Sequence, residues 1–156
     1  MVSADLAHAL INDRAFLGTF IVIENRNGQE LAFELNPAQE LLYPTLTGRD
    51  LIIKAGQLGI TTFFLARGFK KVITQDNVTA VVVAHEEFLT QRLLLRVRNM
   101  YQRMPMPANK KPKMKHDSAY EMSFPSRRST FYIGTAGAKT FGRGEPIHYF
   151  LGSEFA

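Results

Sequence analysis

The sequence of 156 residues has no cysteine. That absence excludes a disulfide framework and any zinc site built on thiolates. Histidine is scarce as well: His8, His85, His116 and His148 lie too far apart in sequence to form a local metal motif. No apolar stretch approaches the length needed to cross a membrane, and MVSADLAHALINDRAF has no basic segment followed by a long apolar one. The sequence therefore reads as that of a protein that stays in the compartment where it is made. Internal repeats are absent too. What is present is a 46% hydrophobic content, which suits one domain with a real core and argues against overall disorder.

The net charge of +5 hides a polarity. Residues 1–91 carry seven Lys and Arg against ten Asp and Glu, whereas residues 92–156 carry twelve against four. A basic second half of this kind suits a polyanionic partner, or is simply a solvated face.

Hydrophobic patterning predicts alternating strands and helices. LGTFIVIENRNGQELAFEL (17–35) reads as an N-terminal β-hairpin turning at Asn27-Gly28. In NPAQELLYPTLTG, Asn36 is placed to cap a short helix with Pro37 at its first position. Leu51 to Ile53 reads as an apolar strand that enters a glycine turn and then a helix starting near Thr61. NVTAVVVAH has the unbroken β-branched character of a strand buried on both faces of a parallel sheet. Behind it, Leu93, Val97, Met100 and Met104 recur at helical spacing, with Arg92, Arg96 and Arg103 on another face. MPMPANKKPKMKHD (residues 105–117 and their flank) reads as a mobile basic loop; AYEMSF, STFYIG and IHYFLGS read as further strands. The fold class that follows is α/β with right-handed crossovers and a mostly parallel sheet with flanking helices.

IIKAGQLGITT (52–62) resembles a phosphate loop with its lysine displaced to the start. Gly59 allows close backbone approach, and Thr61 or Thr62 opens a helix whose dipole favours phosphate. Lys54 reads either as a side chain folded back over the loop or as an ordinary exposed lysine. Gln39 has the amide donor and acceptor for an adenine edge, or is a solvated helical glutamine. Glu154, after the apolar run 147–151, stands where open α/β sheets place ligands, or is a capping acid. Arg143, between two glycines in FGRGE, suits an arginine reaching into its own or a neighbour's site, or is a plain loop arginine. Arg127 and Arg128, with Lys110, Lys111, Lys113 and Lys115, are candidates for contacts to a nucleic-acid backbone, or belong to a solvated loop.

LNPAQELLYPTL, IIKAGQLGITT, VVVAHEEFLTQRLLLRVRNMYQRMP, STFYIGTAGAKTFGRG and IHYFLGSEFA together resemble the N-terminal ATPase domain of the large terminase subunit, the DNA-packaging motor of tailed bacteriophages. The resemblance runs from about Gly18 to the end. It implies a P-loop NTPase fold of the ASCE type, incomplete at the C-terminus, with ATP and Mg²⁺ as ligand and cofactor. By it, Lys54 matches the phosphate-binding lysine, with Gln57, Gly59 and Thr62 in the same loop. Thr61 matches the hydroxyl on Mg²⁺, with Glu154 near the ion. Gln39 corresponds to the adenine-contacting glutamine, Glu154 to the catalytic glutamate and Arg143 to the arginine acting between subunits.

The resemblance further implies double-stranded DNA, a portal protein and a small terminase subunit as partners. It also implies a homo-oligomeric ring in the cytoplasm of an infected or prophage-carrying bacterium. The family's nuclease domain is expected to be absent, since the sequence ends two residues after Glu154. Two positions depart from the family pattern: Ser153-Glu154 stands where the second motif commonly ends in a pair of acids, and Gly56 stands where an arginine usually precedes the loop's glutamine. If that arginine acts as preorganised charge, its loss costs about 2–4 kcal/mol of transition-state stabilisation. A catalytically defective remnant that binds nucleotide or DNA weakly, and a helicase-like ATPase, are the alternatives.

Overall fold

The computed structural model describes residues 4–25, 27–135 and 146–153. In chain order its elements are α1 (Ala4–Ile11), α2 (Asp13–Phe20), β1 (Val22–Glu24), β2 (Glu30–Ala32), α3 (Pro37–Leu42) with a 3-10 turn at Tyr43–Thr45, α4 (Ile60–Thr74), β3 (Thr79–Ala84), α5 (Glu87–Arg103), β4 (His116–Asp117), β5 (Glu121–Phe124), β6 (Ser129–Thr135) and β7 (Tyr149–Ser153). The molecule is mixed α/β.

The valine-rich run becomes β3, the second strand from the edge of a five-stranded sheet of order β4-β5-β6-β3-β7. Both its neighbours are parallel to it, with Val82 opposite Ile133 on one side and Leu151 on the other. β5 and β4 extend this parallel core by antiparallel pairing, so the sheet is mixed. Ala80, Val82 and Ala84 join Phe131, Ile133, Met122 and Phe124 in the main core, while Val81 and Val83 on the opposite face are buried as well. Burial of both faces is what an unbroken β-branched run requires.

Helices α4 and α5 cover the face of Ala80 and Val82. Phe69 of α4 and Tyr101 of α5 both reach the Phe124 ring, with centroids 6.4 and 5.5 Å away. α5 buries Leu93, Val97 and Met100, with Met104 at its C-cap, the stripe its periodicity predicts, and Leu94 beside it. At the far side of α4, a Cβ on Gly68 would lie 2.6 Å from the Tyr149 ring, so β7 and α4 meet where one residue has no side chain. The Tyr149 hydroxyl then donates to the Phe64 carbonyl at 2.7 Å.

Three expectations change. The hairpin is shorter than 17–35, because Leu17 to Phe20 belong to α2. Asn12 caps that helix by accepting from the Ala15 N–H at 3.0 Å, and Phe16, Leu17 and Phe20 bury at helical spacing. Leu51 to Ile53 form no strand; Leu51 is 94% and Ile53 95% exposed, and no sheet edge receives them. The basic segment after α5 is irregular, yet the Tyr101 hydroxyl ties it down by donating to Pro112 O and accepting from the Met114 N–H. It ends in β4 instead of continuing as a loop to residue 117.

Candidate functional site

The loop before α4 is shaped by its own backbone and by α3. Gln57 and Gly59 have φ of 63° and 70°, the left-handed region. Gly59 is the N-cap of α4 and offers no side-chain cap, so the first N–H groups of the helix face outward without an intrahelical partner. Asn36 and Gln39 hold this loop. They form a reciprocal capping box on α3, and each then reaches across: Asn36 Nδ2 donates to the Leu58 carbonyl at 3.0 Å and Gln39 Nε2 to the Gly59 carbonyl at 2.9 Å. A Cβ at Gly59 would stand 2.8 Å from Gln39 Nε2. Glycine here satisfies both the dihedral and the close approach.

A cleft of about 730 Å³ opens beside this loop. Lys54, Gln57, Gly59, Thr61 and Thr62 form one wall, β1 from Val22 to Glu24 another, and Arg96, Asn99, Met100 and Arg103 of α5 a third. Five residues nominated from the sequence are thus brought together. Those from β1 and α5 were not nominated, because only tertiary packing brings the hairpin and α5 to the loop; the arginine face of α5 was visible, its target was not. Gln39 is buried beneath the loop, with both ends of its amide engaged by Asn36 N–H and Gly59 O. In this structure it supports the loop before α4 and makes no wall of the cleft.

The charges of the cleft are unevenly matched. Arg103 bridges both hairpin strands, to Glu24 at 3.0 Å and to Glu30 at 2.9 Å. Among the described residues neither Lys54 nor Arg96 has a carboxylate partner. Arg96 instead points one guanidinium nitrogen at the Thr62 hydroxyl, 3.5 Å away. Among the described residues Glu24 is the one carboxylate lining the cleft, and its partner is Arg103. Gly56 at the loop tip is open, with nothing within 4 Å of a Cβ placed there.

No group of three or more His, Asp or Glu residues able to hold a metal exists among the described residues. At the loop the Thr61 and Thr62 side chains supply hydroxyl oxygens. They fit a Mg²⁺ ion that keeps several waters and takes its other oxygens from phosphate, not one caged by protein carboxylates. Arg143 and Glu154 lie outside the described residues. Ser153, the residue before Glu154, ends β7 in register with Ala84, at the C-terminal end of the parallel strands.

The nucleic-acid candidates occupy another region. Arg127 and Arg128 form the β5–β6 turn, where the Arg127 carbonyl accepts from Asn77 N–H and its guanidinium meets Asp76 at 3.2 Å. That is just past the C-terminal end of α4, a helix of 15 residues whose length, about 22 Å, separates them from the loop at its start. Lys111 stacks its ammonium on the Tyr101 ring, 4.4 Å from the centroid, and partial burial pushes its pKa down. Lys113 is exposed. Through Tyr101 and Phe124 the lysine segment adjoins the hairpin that carries Arg127 and Arg128. No described helix is long and apolar enough to cross a membrane. No known family model matches this sequence, and no characterised protein matches it significantly.

Proposed function

We propose that the chain is the ATP-binding and ATP-hydrolysing part of a DNA-translocating motor of the large-terminase type, a variant P-loop NTPase. The observation that carries the reading is the convergence of Lys54, Gln57, Gly59, Thr61 and Thr62 on one cleft at the start of α4. Phosphate oxygens would meet the outward N–H groups of α4, the helix dipole and Lys54 together. Thr61 would supply a hydroxyl to Mg²⁺, which when bound neutralises phosphate charge. Glu154 follows a strand end and would orient water; Arg143 would serve the site of an adjacent subunit in a ring around double-stranded DNA.

The reading is tested by measuring ATP binding and phosphate release with the full chain. Lys54→Ala should lose binding, whereas Glu154→Ala should keep binding and lose turnover. Absence of ATP binding by the unsubstituted chain sinks the reading.

A defective remnant is the second reading. Its supporting observations are Gly56, which lacks the side chain the family places beside the phosphates, and exposed Leu51 and Ile53, which leave Lys54 without a strand behind it. Gly56→Arg separates the two. A Cβ at Gly56 meets nothing within 4 Å and no positive φ opposes it, so turnover gained by Gly56→Arg supports a motor, whereas no nucleotide binding by either form supports the remnant.

A further inference from the structure

The cleft contains a cation that neither the sequence motif nor the helix start explains. Arg96 sits in the middle of α5, exposed, and turns across the cleft to within 3.5 Å of the Thr62 hydroxyl. Several arginines among the described residues are matched by a carboxylate or an aromatic ring. Arg67 holds Asp13, Arg103 holds Glu24 and Glu30, Arg127 holds Asp76, and Arg92 stacks on Phe88 at 4.8 Å. Arg96 has neither among the described residues, and it shares its cleft with Lys54, which has no carboxylate partner either. Two cations without a carboxylate partner among the described residues thus line one cleft with the Thr61 and Thr62 hydroxyls and the start of α4, a surface complementary to several negative charges in a row.

We infer that Arg96 is a phosphate-contacting residue. The polyphosphate of a nucleotide would be held between Lys54 and the α4 start on one side and the Arg96 guanidinium on the other. The 3.5 Å approach to Thr62 marks where the guanidinium rests, and a phosphate oxygen offers it a stronger acceptor than a hydroxyl. Arg96 thereby supplies a guanidinium to the site whose loop has glycine at position 56. The inference rests on reading the cleft as a nucleotide site, and its test separates the two.

Binding of ATP and of inorganic tripolyphosphate is measured by calorimetry for the unsubstituted chain, Arg96→Ala, Arg96→Lys, Lys54→Ala and Arg92→Ala, the last a control on the same helix outside the cleft. Arg96→Ala should weaken both ligands by about 10- to 100-fold, as loss of a charge-assisted contact does. Arg96→Lys should recover part of that loss, and Arg92→Ala should bind as the parent. Unfolding midpoints should be unmoved, since Arg96 is exposed. If Arg96→Ala binds both ligands like the parent while Lys54→Ala does not, the role of Arg96 is overturned and the nucleotide site stands. If tripolyphosphate binds through Arg96 but ATP does not bind, the anion site stands and the nucleotide reading fails. Binding of neither ligand by the unsubstituted chain overturns both.

Discussion

The two loop glycines have opposite requirements. Gly59 has φ of 70° and its missing Cβ leaves room for Gln39 Nε2 at 2.8 Å. Alanine there meets both the left-handed backbone cost, about 1–2 kcal/mol, and a steric conflict with a side chain fixed at both ends of its amide. Gly59→Ala should therefore lower unfolding free energy by about 2 kcal/mol in urea titration and displace the loop enough to weaken ATP binding. An unchanged urea midpoint would show that Gln39 does not hold the loop. The pattern N-P-A-Q showed the α3 cap and its proline in advance, but not the role of Gln39 in the capping box or on the loop. A glutamine that closes a capping box and one that faces a ligand look the same in sequence; the difference is the Gly59 carbonyl, twenty residues away, that its amide meets.

Elements followed their local signals wherever burial and propensity agreed. The β3 run and the α5 stripe formed as patterned because their apolar residues had a sheet face and a helix neighbour to cover them. Leu51 to Ile53 has the propensity of a strand but no neighbouring strand to pair with, and a single strand is not stable by itself. In the N-terminal region, Asn12 and Asp13 made a helix of residues whose β-propensity had suggested a hairpin arm. Asp13 also anchors that helix to α4. Burial opposes its ionisation, but hydrogen bonds from Lys70 at 2.7 Å and Arg67 at 2.8 Å outweigh the burial and hold its carboxyl below the usual range.

A depressed carboxyl pKa contributes stability that is present above the unfolded value, near pH 4, and is lost as pH falls through the folded value. Asp13→Asn should remove that part of the acid sensitivity. It should also cost about 3 kcal/mol at neutral pH, because Lys70, buried at 5% side-chain exposure, loses its counter-charge. Denaturation curves from pH 3 to pH 7 check both expectations. Gly68→Ala tests the α4–β7 contact. Alanine in a helix interior usually gains about 1 kcal/mol over glycine, but a Cβ 2.6 Å from a ring anchored through its hydroxyl should reverse the sign, for a net loss of about 1–3 kcal/mol. A stabilised Gly68→Ala protein would mean that β7 shifts freely on α4.

Across the whole molecule, the acidic first half and basic second half partly neutralise each other on folding. Arg103 takes Glu24 and Glu30, and Arg127 takes Asp76, each pair joining one half to the other. The sequence displayed the imbalance; it could not display these pairings, which depend on α5 meeting the hairpin and the β5–β6 turn meeting the end of α4. Lys113 and Arg128 remain exposed with no carboxylate partner among the described residues, in the region that Tyr101 and Phe124 join. If the chain grips double-stranded DNA by its backbone, as the proposed function requires, these two should release counterions on binding, whereas Arg127, already matched by Asp76, should contribute less. Each phosphate neutralised contributes about 0.9 to the slope of log affinity against log salt. Lys113→Ala and Arg128→Ala should thus each reduce that slope by about 0.9, equally for DNA of different sequences, and Arg127→Ala should reduce it less. Fluorescence anisotropy on two unrelated duplexes between 50 and about 200 mM salt measures it. A slope unaltered in the Lys113→Ala, Arg128→Ala double variant would move the DNA path to another face of the protein.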